Sequence, residues 1–212
     1  MKVLAINGSP RANGNTGLAL QVACAALDDA KIETEIIQIG HKTIRGCTAC
    51  FMCIDGKGCA FADDKFRSWT EKLYAADGVL VGSPVYYSGM TGTLKAFMDR
   101  AFFSSRGRLR HKIAGGIAVA RRSGGMPTFQ QLNSYFMISE MIIAPTHYWN
   151  IAHGMIEGEI LHDAEGMSVL RALGANMAWL LRMREATKDS IPPPEIGERP
   201  RTNFIREGQS IF

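Results

Sequence analysis

Four cysteines lie within thirteen residues, at Cys47, Cys50, Cys53 and Cys59. Their spacing, C-x2-C-x2-C-x5-C, allows four thiolates to converge from one side, as a [4Fe–4S] cluster requires. The bacterial ferredoxin run has three residues before its last cysteine and a proline after it, whereas Ala60 follows Cys59 here. Zinc usually takes two separated cysteine pairs and fits this run poorly. The run therefore indicates either a [4Fe–4S] cluster or free, redox-active thiols.

A second candidate site is a polar segment at the end of the first apolar run of the chain. The run at residues 2–6 is followed by Gly8-Ser9-Pro10-Arg11-Ala12-Asn13-Gly14-Asn15-Thr16. Asn15 and Thr16 are good helix-starting residues, and a helix N-terminus attracts anions such as phosphate. The segment matches neither G-x-x-x-x-G-K-[ST] nor G-x-G-x-x-G, so a nucleoside triphosphatase and a dinucleotide fold both lose support. A monophosphate at this position indicates FMN.

Two further loops offer groups that suit a flavin ring. The segment Pro84-Val85-Tyr86-Tyr87 combines a proline that fixes the backbone with two adjacent aromatic rings. The segment Ser123-Gly124-Gly125 has paired glycines that let backbone N–H groups approach a ligand closely. We expect such donors to hold the pyrimidine end of a flavin and to stabilise negative charge there. Each loop is weak evidence alone, because such turns are common.

The elements that must position these loops alternate between strand and helix. Apolar runs predict strands at 2–6, 32–39, 79–81, 113–120 and 141–144, with 32–39 near an edge. Helices are predicted from Asn15 onward and at 64–76, 90–104, 127–139 and 166–187, with Asp63-Asp64 at the start of the second. This alternation predicts an α/β fold with a doubly wound, five-stranded parallel sheet of order 2-1-3-4-5. Residues 146–165 are interpreted as an insertion between the last strand and the last helix.

We expect residues 1–187 to form one domain and residues 188–212 to form an extended C-terminal arm. The arm contains Pro192-Pro193-Pro194 and Pro200, which exclude a helix, and its length suggests that it lies on a partner subunit.

Several of these segments together resemble the NADPH-dependent FMN reductase and iron–sulfur flavoprotein superfamily, which is flavodoxin-like. They are Gly8-Ser9-Pro10-Arg11, Gly14-Asn15-Thr16, Gly82-Ser83-Pro84-Val85-Tyr86 and Lys95-Ala96-Phe97-Met98-Asp99-Arg100. The resemblance covers about residues 1–185, and Asn176-Met177-Ala178-Trp179, the tail at 201–206 and the cysteine run resemble the iron–sulfur branch. It implies dimers or dimers of dimers, with the flavin near a subunit interface.

The resemblance also assigns roles to residues of this chain. Ser9, Arg11, Asn15 and Thr16 would contact the FMN phosphate, with Asn13 of the same loop as a further candidate. Pro84, Val85, Tyr86 and Tyr87 would flank the ring and ribityl chain. Ser123, Gly124 and Gly125 would meet the isoalloxazine edge.

Composition excludes several other classes of function. The chain of 212 residues has a formal charge of +4, and its one basic stretch, residues 106–112, is better interpreted as a solvated loop than as a nucleic-acid surface. The first apolar run is too short for a signal peptide or a membrane span, so we expect a cytoplasmic protein. His147, His153 and His162 lack metal-site spacing and are interpreted as solvated or capping residues. Cys24 is expected to lie in the core.

Three functions remain open at this point. The first is an FMN-dependent oxidoreductase or electron carrier that receives electrons from NAD(P)H or ferredoxin and holds a [4Fe–4S] cluster at Cys47–Cys59. The second is an NAD(P)H-dependent flavin, quinone or azo-compound reductase without a cluster. The third is a non-catalytic redox sensor that uses the thiols as a switch. No catalytic side chain is required, because the flavin ring itself accepts electrons.

Overall fold

The computed structural model describes residues 1–61, 65–197 and 200. Six strands and five α-helices alternate along these residues. In chain order they are β1 (Lys2–Asn7), α1 (Asn15–Asp29), β2 (Glu33–Gln38), α2 (Phe66–Ala75), β3 (Gly78–Pro84), α3 (Gly92–Ser105), β4 (Ile113–Ala120), α4 (Gly125–Ile138), β5 (Ile142–Ile143), β6 (Ile151–His153) and α5 (Ala164–Thr187). A short 3₁₀ helix at Glu159–His162 precedes α5.

The strands form one parallel sheet of order β2-β1-β3-β4-β5, which confirms the predicted fold class and the edge position of β2. The sixth strand, β6, was not predicted. It pairs with the end of β4, Ala118–Ala120, whereas β5 pairs with its beginning, Ile113–Ala114. The fifth position of the sheet is therefore occupied by two short strands, because the chain leaves the sheet between them.

Asn150 closes the gap that this detour leaves in the sheet. Its side-chain amide donates to the Gly116 carbonyl at 3.0 Å, and its backbone carbonyl accepts from Ala118 N–H at 3.0 Å. A three-residue strand flanked by Asn150 and Gly154 carries too little periodicity to be recognised in a sequence, which explains why it was missed.

Helices cover both faces of the sheet, as buried parallel strands require. On one face α1 and α5 pack against Val3, Leu80 and Ile117. On the other face α2, α3 and α4 pack against Leu4, Val81 and Ala114. Every residue of β4 is buried, so both sides of this central strand are core. Cys24 lies in the first core, as expected, and burial raises the pKa of its thiol to about 11.

The bounds of the helices differ by at most two residues from the predicted ones. Asp63 and Asp64, the predicted start of α2, lie outside the described residues, as does most of the C-terminal arm. The division at residue 187 coincides with the end of α5, and the Pro194 carbonyl accepts a hydrogen bond from Arg110. The arm and its subunit contact stay predictions. Among the described helices, none has the length and apolar character needed to cross a bilayer.

Candidate functional site

Three loops meet at the carboxyl edge of the sheet, where a doubly wound fold binds its ligands. We call them loop 1 (residues 8–14, after β1), loop 2 (residues 85–90, after β3) and loop 3 (residues 121–124, after β4). Each of the three predicted cofactor segments lies in one of these loops or at its flanks.

Loop 1 is held in shape by its own side chains and those of β1. The Asn7 carboxamide accepts from Ser9 N–H at 3.0 Å and donates to the Ala12 carbonyl at 3.3 Å. The Ser9 hydroxyl accepts from Arg11 N–H at 3.1 Å. Asn7 was not among the predicted site residues, although an Asn directly before a Gly-Ser turn is a recognisable turn signal. Hydrogen bonds within the chain therefore fix the shape of the loop.

The N-terminus of α1 faces the space beside loop 1. No protein atom in the described part of the chain accepts from the N–H groups of Asn15 and Thr16, the first two residues of the helix. Such donors, together with the helix dipole, favour an anion. Arg11 and Asn13 are exposed next to them, and Thr16 is buried. The donor set of loop 1 and α1 fits a phosphate group.

The Asn15 side chain makes contacts that the sequence did not suggest. Its amide donates to the Ile156 carbonyl at 2.9 Å, and its oxygen accepts from Gly158 N–H at 3.0 Å. Asn15 therefore ties the insertion to the start of α1. Its proposed contact with FMN stays a prediction, and its backbone N–H is the group that the structure leaves available.

Loop 2 is a tight turn that presents two tyrosines to solvent. Tyr86 and Gly89 exchange backbone hydrogen bonds of 2.9 and 3.0 Å. Tyr87 and Ser88 between them both have a left-handed backbone, with φ of 49° and 60°. That conformation costs about 1–2 kcal/mol for a residue with a Cβ atom. Tyr87 is fully exposed and Tyr86 is about half exposed, so both rings are available to a ligand.

Thr91, which was not predicted, joins loop 2 to loop 1. Its hydroxyl donates to the Gly8 carbonyl at 2.8 Å and accepts from Leu94 N–H at 3.3 Å, which caps α3. Its backbone N–H donates to the Ser83 hydroxyl at 3.1 Å. A threonine just before a helical run is a sequence signal for a cap, but its link to Gly8 depends on strand order.

Loop 3 packs directly against loop 2 through Gly124. This glycine has φ of 87°, and a Cβ atom there would lie 2.9 Å from Val85 Cγ1 and 3.0 Å from Ser88 Oγ. Both the backbone conformation and the close approach therefore require glycine. Gly125 begins α4, and Ser123 is exposed beside it. The structure thus brings the three predicted cofactor segments to one edge.

The four cysteines of the predicted cluster site line one small apolar cavity. We call residues 41–61 the cysteine loop, and it has no regular secondary structure. The cavity measures about 20 Å³, room for about one water molecule, and Phe51, Phe61 and Phe103 also line it. Cys53 is buried, and this burial raises the pKa of its thiol, with smaller contributions from Cys59 and Cys47.

The cysteine loop as it stands does not form a metal-binding group. Among the described residues, no three His, Cys, Asp or Glu side chains lie close enough together to hold a metal ion. The backbone on both sides of Cys50 is nevertheless unusual. Ala49 and Phe51 have φ of 50° and 57°, the left-handed conformation that non-glycine residues rarely adopt. Alternating turns of this kind create the concave arrays of N–H groups found at many iron–sulfur sites.

Arg100 of α3 holds the cysteine loop at both ends. Its guanidinium donates to the Arg45 carbonyl at 3.3 Å and to the Phe61 carbonyl at 2.9 Å. The guanidinium carbon also lies 3.9 Å from the centre of the Phe66 ring. Only 2% of the residue is exposed, so these contacts replace water around a buried charge.

The insertion after β5 forms a second concavity beside loop 3. This cavity measures about 270 Å³ and is lined by residues that include Gly125, Tyr148, Ile151, His153 and Glu165. His147 and His162 are exposed, as predicted for loop histidines, and do not line it. His153 does line it, a placement that its sequence context did not indicate.

Comparisons with known proteins agree with this architecture. The family model described as NADPH-dependent FMN reductase matches residues 1–155. An iron–sulfur flavoprotein of Methanocaldococcus jannaschii is 38% identical over 191 residues, covering 86% of this chain and 98% of the relative. An iron–sulfur flavoprotein of Methanosarcina thermophila is 28% identical and covers 89% and 100%. A solved archaeal flavodoxin superposes with a TM-score of 0.58 over 86% of this chain and 99% of its own, at 14% identity.

Proposed function

Because this chain belongs to the NADPH-dependent FMN reductase family, we propose that it is an FMN-dependent oxidoreductase that also uses a [4Fe–4S] cluster in the cysteine loop. FMN and oxidoreductase chemistry follow from the family. The cluster, the electron donor and the residues that contact each cofactor are the proposal. One observation carries it: four cysteines line a single cavity in a chain otherwise built like a flavin reductase.

FMN is proposed to bind across loops 1, 2 and 3. Its phosphate would accept from Asn15 and Thr16 N–H at the start of α1, with Ser9, Arg11 and Asn13 around it. Bound FMN supplies a ring that exchanges one or two electrons.

The ring has its own proposed contacts at the other two loops. Pro84, Val85, Tyr86 and Tyr87 would flank it, because the turn presents two exposed aromatic faces. Ser123, Gly124 and Gly125 would border its pyrimidine edge, where the first N–H groups of α4 favour negative charge.

The cysteine loop is proposed to change shape when a cluster is assembled. The 20 Å³ cavity is too small for a four-iron cube, and no metal-binding group is formed among the described residues. Metal sites commonly complete their fold only when the ligand binds. Arg100 would keep the two ends of the loop in place, and the left-handed turns at Ala49 and Phe51 would allow backbone N–H groups to donate to the cluster. The names of the two relatives support this assignment.

A second candidate is an NAD(P)H-dependent flavin or quinone reductase that holds no cluster. The family description names NADPH, which favours this alternative. NAD(P)H and ferredoxin both remain as proposed electron donors. We also propose that the protein is a homodimer or homotetramer, because Met137 and Ile138 expose 70% and 83% of their surface. A location in the cytoplasm is proposed because a reducing compartment suits free thiols.

Anaerobic purification distinguishes the two candidates. We expect a flavin spectrum together with about four iron and four sulfide per chain, the composition of one cube. The variant Cys53→Ser should lose the iron and keep the flavin, because the cysteine loop is separate from loops 1–3. Cys24→Ala is the matched control, since Cys24 lies in the core between α1 and α5. This variant should retain both the iron and the flavin.

Each result decides between the candidates. Flavin without iron in the anaerobically purified wild type, with rapid NADPH oxidation, would favour the reductase without a cluster. A protein that neither carries nor binds FMN would contradict both proposals.

A further inference from the structure

We propose that the turn at residues 154–159 of the insertion, which we call the clasp, belongs to the proposed FMN phosphate site. The clasp holds the Asn15 side chain and thereby fixes the direction of the first N–H groups of α1. Asn15 and Glu159 are therefore positioning residues, and they make the site selective for FMN over riboflavin, which has no phosphate. This inference rests on the proposed function, because it requires that the FMN phosphate binds at the start of α1.

The two polar atoms of the Asn15 side chain are both bonded to the clasp. Nδ2 donates to the Ile156 carbonyl at 2.9 Å, and Oδ1 accepts from Gly158 N–H at 3.0 Å. Gly154 packs so closely on this side chain that a Cβ atom there would lie 2.7 Å from Asn15 Nδ2. Asn15 is also the first residue of α1. The clasp therefore fixes the residue whose backbone N–H faces the proposed phosphate site.

Glu159 gives the clasp its shape. Its Oε2 atom accepts from Met155 N–H at 2.5 Å and from Ile156 N–H at 3.1 Å. These two bonds hold the pKa of the carboxyl below its usual range, so Glu159 is ionised at neutral pH. The Glu159 backbone N–H donates at 3.2 Å to the Ile156 carbonyl, which also accepts from Asn15. Glu159 therefore orients the carbonyl that holds Asn15.

The clasp is anchored to the domain at its two ends. Gly154 N–H donates to the Ala120 carbonyl at the end of β4, at 3.0 Å. Ile160, directly after the clasp, is fully buried in the core that α1 and α5 form on one face of the sheet. Met155 and Ile156 between these anchors are exposed. The middle of the clasp is therefore held by the hydrogen bonds of Glu159 and Asn15, and apolar packing contributes little there.

The selectivity for FMN follows from the geometry of hydrogen bonds to an anion. A bond from an N–H group to a phosphate oxygen is strong, and it weakens steeply when the donor is misaligned. Riboflavin has the same ring without the phosphate, so its binding at loops 2 and 3 does not depend on how the start of α1 is directed. Loss of the clasp should therefore lower the affinity for FMN and spare the affinity for riboflavin.

Titration of FMN and of riboflavin into the flavin-free, full-length protein tests the inference through flavin fluorescence, without turnover. Glu159→Ala should weaken FMN binding about tenfold, the effect of one lost hydrogen bond to a charged group, and should change riboflavin binding less than about twofold. Glu159→Gln keeps an oxygen that accepts hydrogen bonds, so its FMN affinity should lie between the two. Glu157→Ala is the matched control, because Glu157 is an exposed glutamate of the same turn and the two N–H groups are bonded to Glu159.

A double-mutant cycle separates positioning from a direct contact between the Asn15 side chain and FMN. Asn15→Ala removes both bonds to the clasp, keeps the backbone N–H and should also weaken FMN binding about tenfold. Because the two residues act through one clasp, the double variant should bind FMN about as weakly as either single variant. Additive losses would show that the Asn15 side chain acts on FMN independently of Glu159 and would overturn the inference.

Three other results would also overturn the inference. The first is an FMN affinity of Glu159→Ala equal to that of the wild type. The second is an equal loss of affinity for FMN and riboflavin in this variant, which would indicate a general disruption of the domain. The third is a wild type that binds riboflavin as tightly as FMN. A wild type that binds neither flavin would instead contradict the proposed function, and this inference with it.

Discussion

The carboxyl-edge loops and the cysteine loop are both candidate cofactor sites, but they are built in opposite ways. Loops 1–3 are connected to one another by Thr91 and by the contact of Gly124 with Val85, and loop 1 is internally hydrogen-bonded. The cysteine loop has local hydrogen bonds, such as Ile54 N–H to the Phe51 carbonyl, and is held at its ends by Arg100. The carboxyl-edge site is therefore held by bonds between its loops, whereas the cysteine loop is held mainly by local bonds and by Arg100 at its two ends.

Replacement of Arg100 should have the largest effect, on stability and on the cysteine loop, and should leave the flavin site unaffected. Arg100→Met removes the charge-assisted hydrogen bonds to the Arg45 and Phe61 carbonyls from a buried position, which we expect to lower the free energy of unfolding by about 3–4 kcal/mol. Iron content after anaerobic purification should fall, while FMN affinity stays within about twofold. Urea denaturation and iron analysis measure the two effects. Arg67→Met, an exposed arginine on α2, is the control, and equal losses in both variants would contradict the role of Arg100.

Replacement of Gly124 tests whether the contact between loops 2 and 3 is as tight as described. Gly124→Ala places a Cβ atom against Val85 and Ser88 and forces a left-handed alanine, so we expect a loss of about 3 kcal/mol. Gly158→Ala is the matched control, because Gly158 has a similar φ of 84° but open space around its Cβ position. The control should lose only about 1 kcal/mol. Similar urea midpoints for both variants would show that the loops do not constrain each other.

Loss of the Thr91 hydroxyl should have an intermediate effect that reaches the flavin. Thr91→Val removes the cap of α3 and the bond to the Gly8 carbonyl, which we expect to destabilise the protein by about 1–2 kcal/mol. Because Gly8 belongs to loop 1, FMN should also dissociate more readily, as measured by flavin fluorescence. Thr93→Val is the matched control, because it makes the same substitution two residues further along the chain, in α3. If both variants bind FMN equally, loop 1 does not depend on Thr91.

The smallest effect is expected at Tyr87, where stability and binding should move in opposite directions. Tyr87→Asn places a residue that tolerates the left-handed conformation in the turn, and should stabilise the apoprotein by about 0.5 kcal/mol. FMN affinity should fall because the aromatic face is lost. Tyr87→Phe keeps that face and the backbone strain, so its stability and its flavin affinity should match the wild type. Unchanged FMN affinity in Tyr87→Asn would remove Tyr87 from the flavin site.

The sequence predicted the sheet order and the placement of three loops because both depend on local signals, namely apolar runs and turn residues. The links between distant segments could not be predicted in the same way. The bond from Thr91 to Gly8 spans 83 residues, and the bonds from Arg100 to the cysteine loop span 39 and 55. The strand β6 was missed because three residues carry no clear period. The position of Asn15 at the start of a helix could be predicted, because it depends on local signals. Its contact with Gly158 could not, because the two residues are far apart in the sequence.

Helix α3 connects the two sites, with Thr91 at its start beside loop 1 and Arg100 two and a half turns later against the cysteine loop. This arrangement limits how the gene can vary. One residue inserted between these positions would rotate Arg100 by roughly 100° about the helix axis and turn it away from the Arg45 and Phe61 carbonyls. Insertions and deletions in this segment should therefore be absent from relatives that keep both the four cysteines and the threonine.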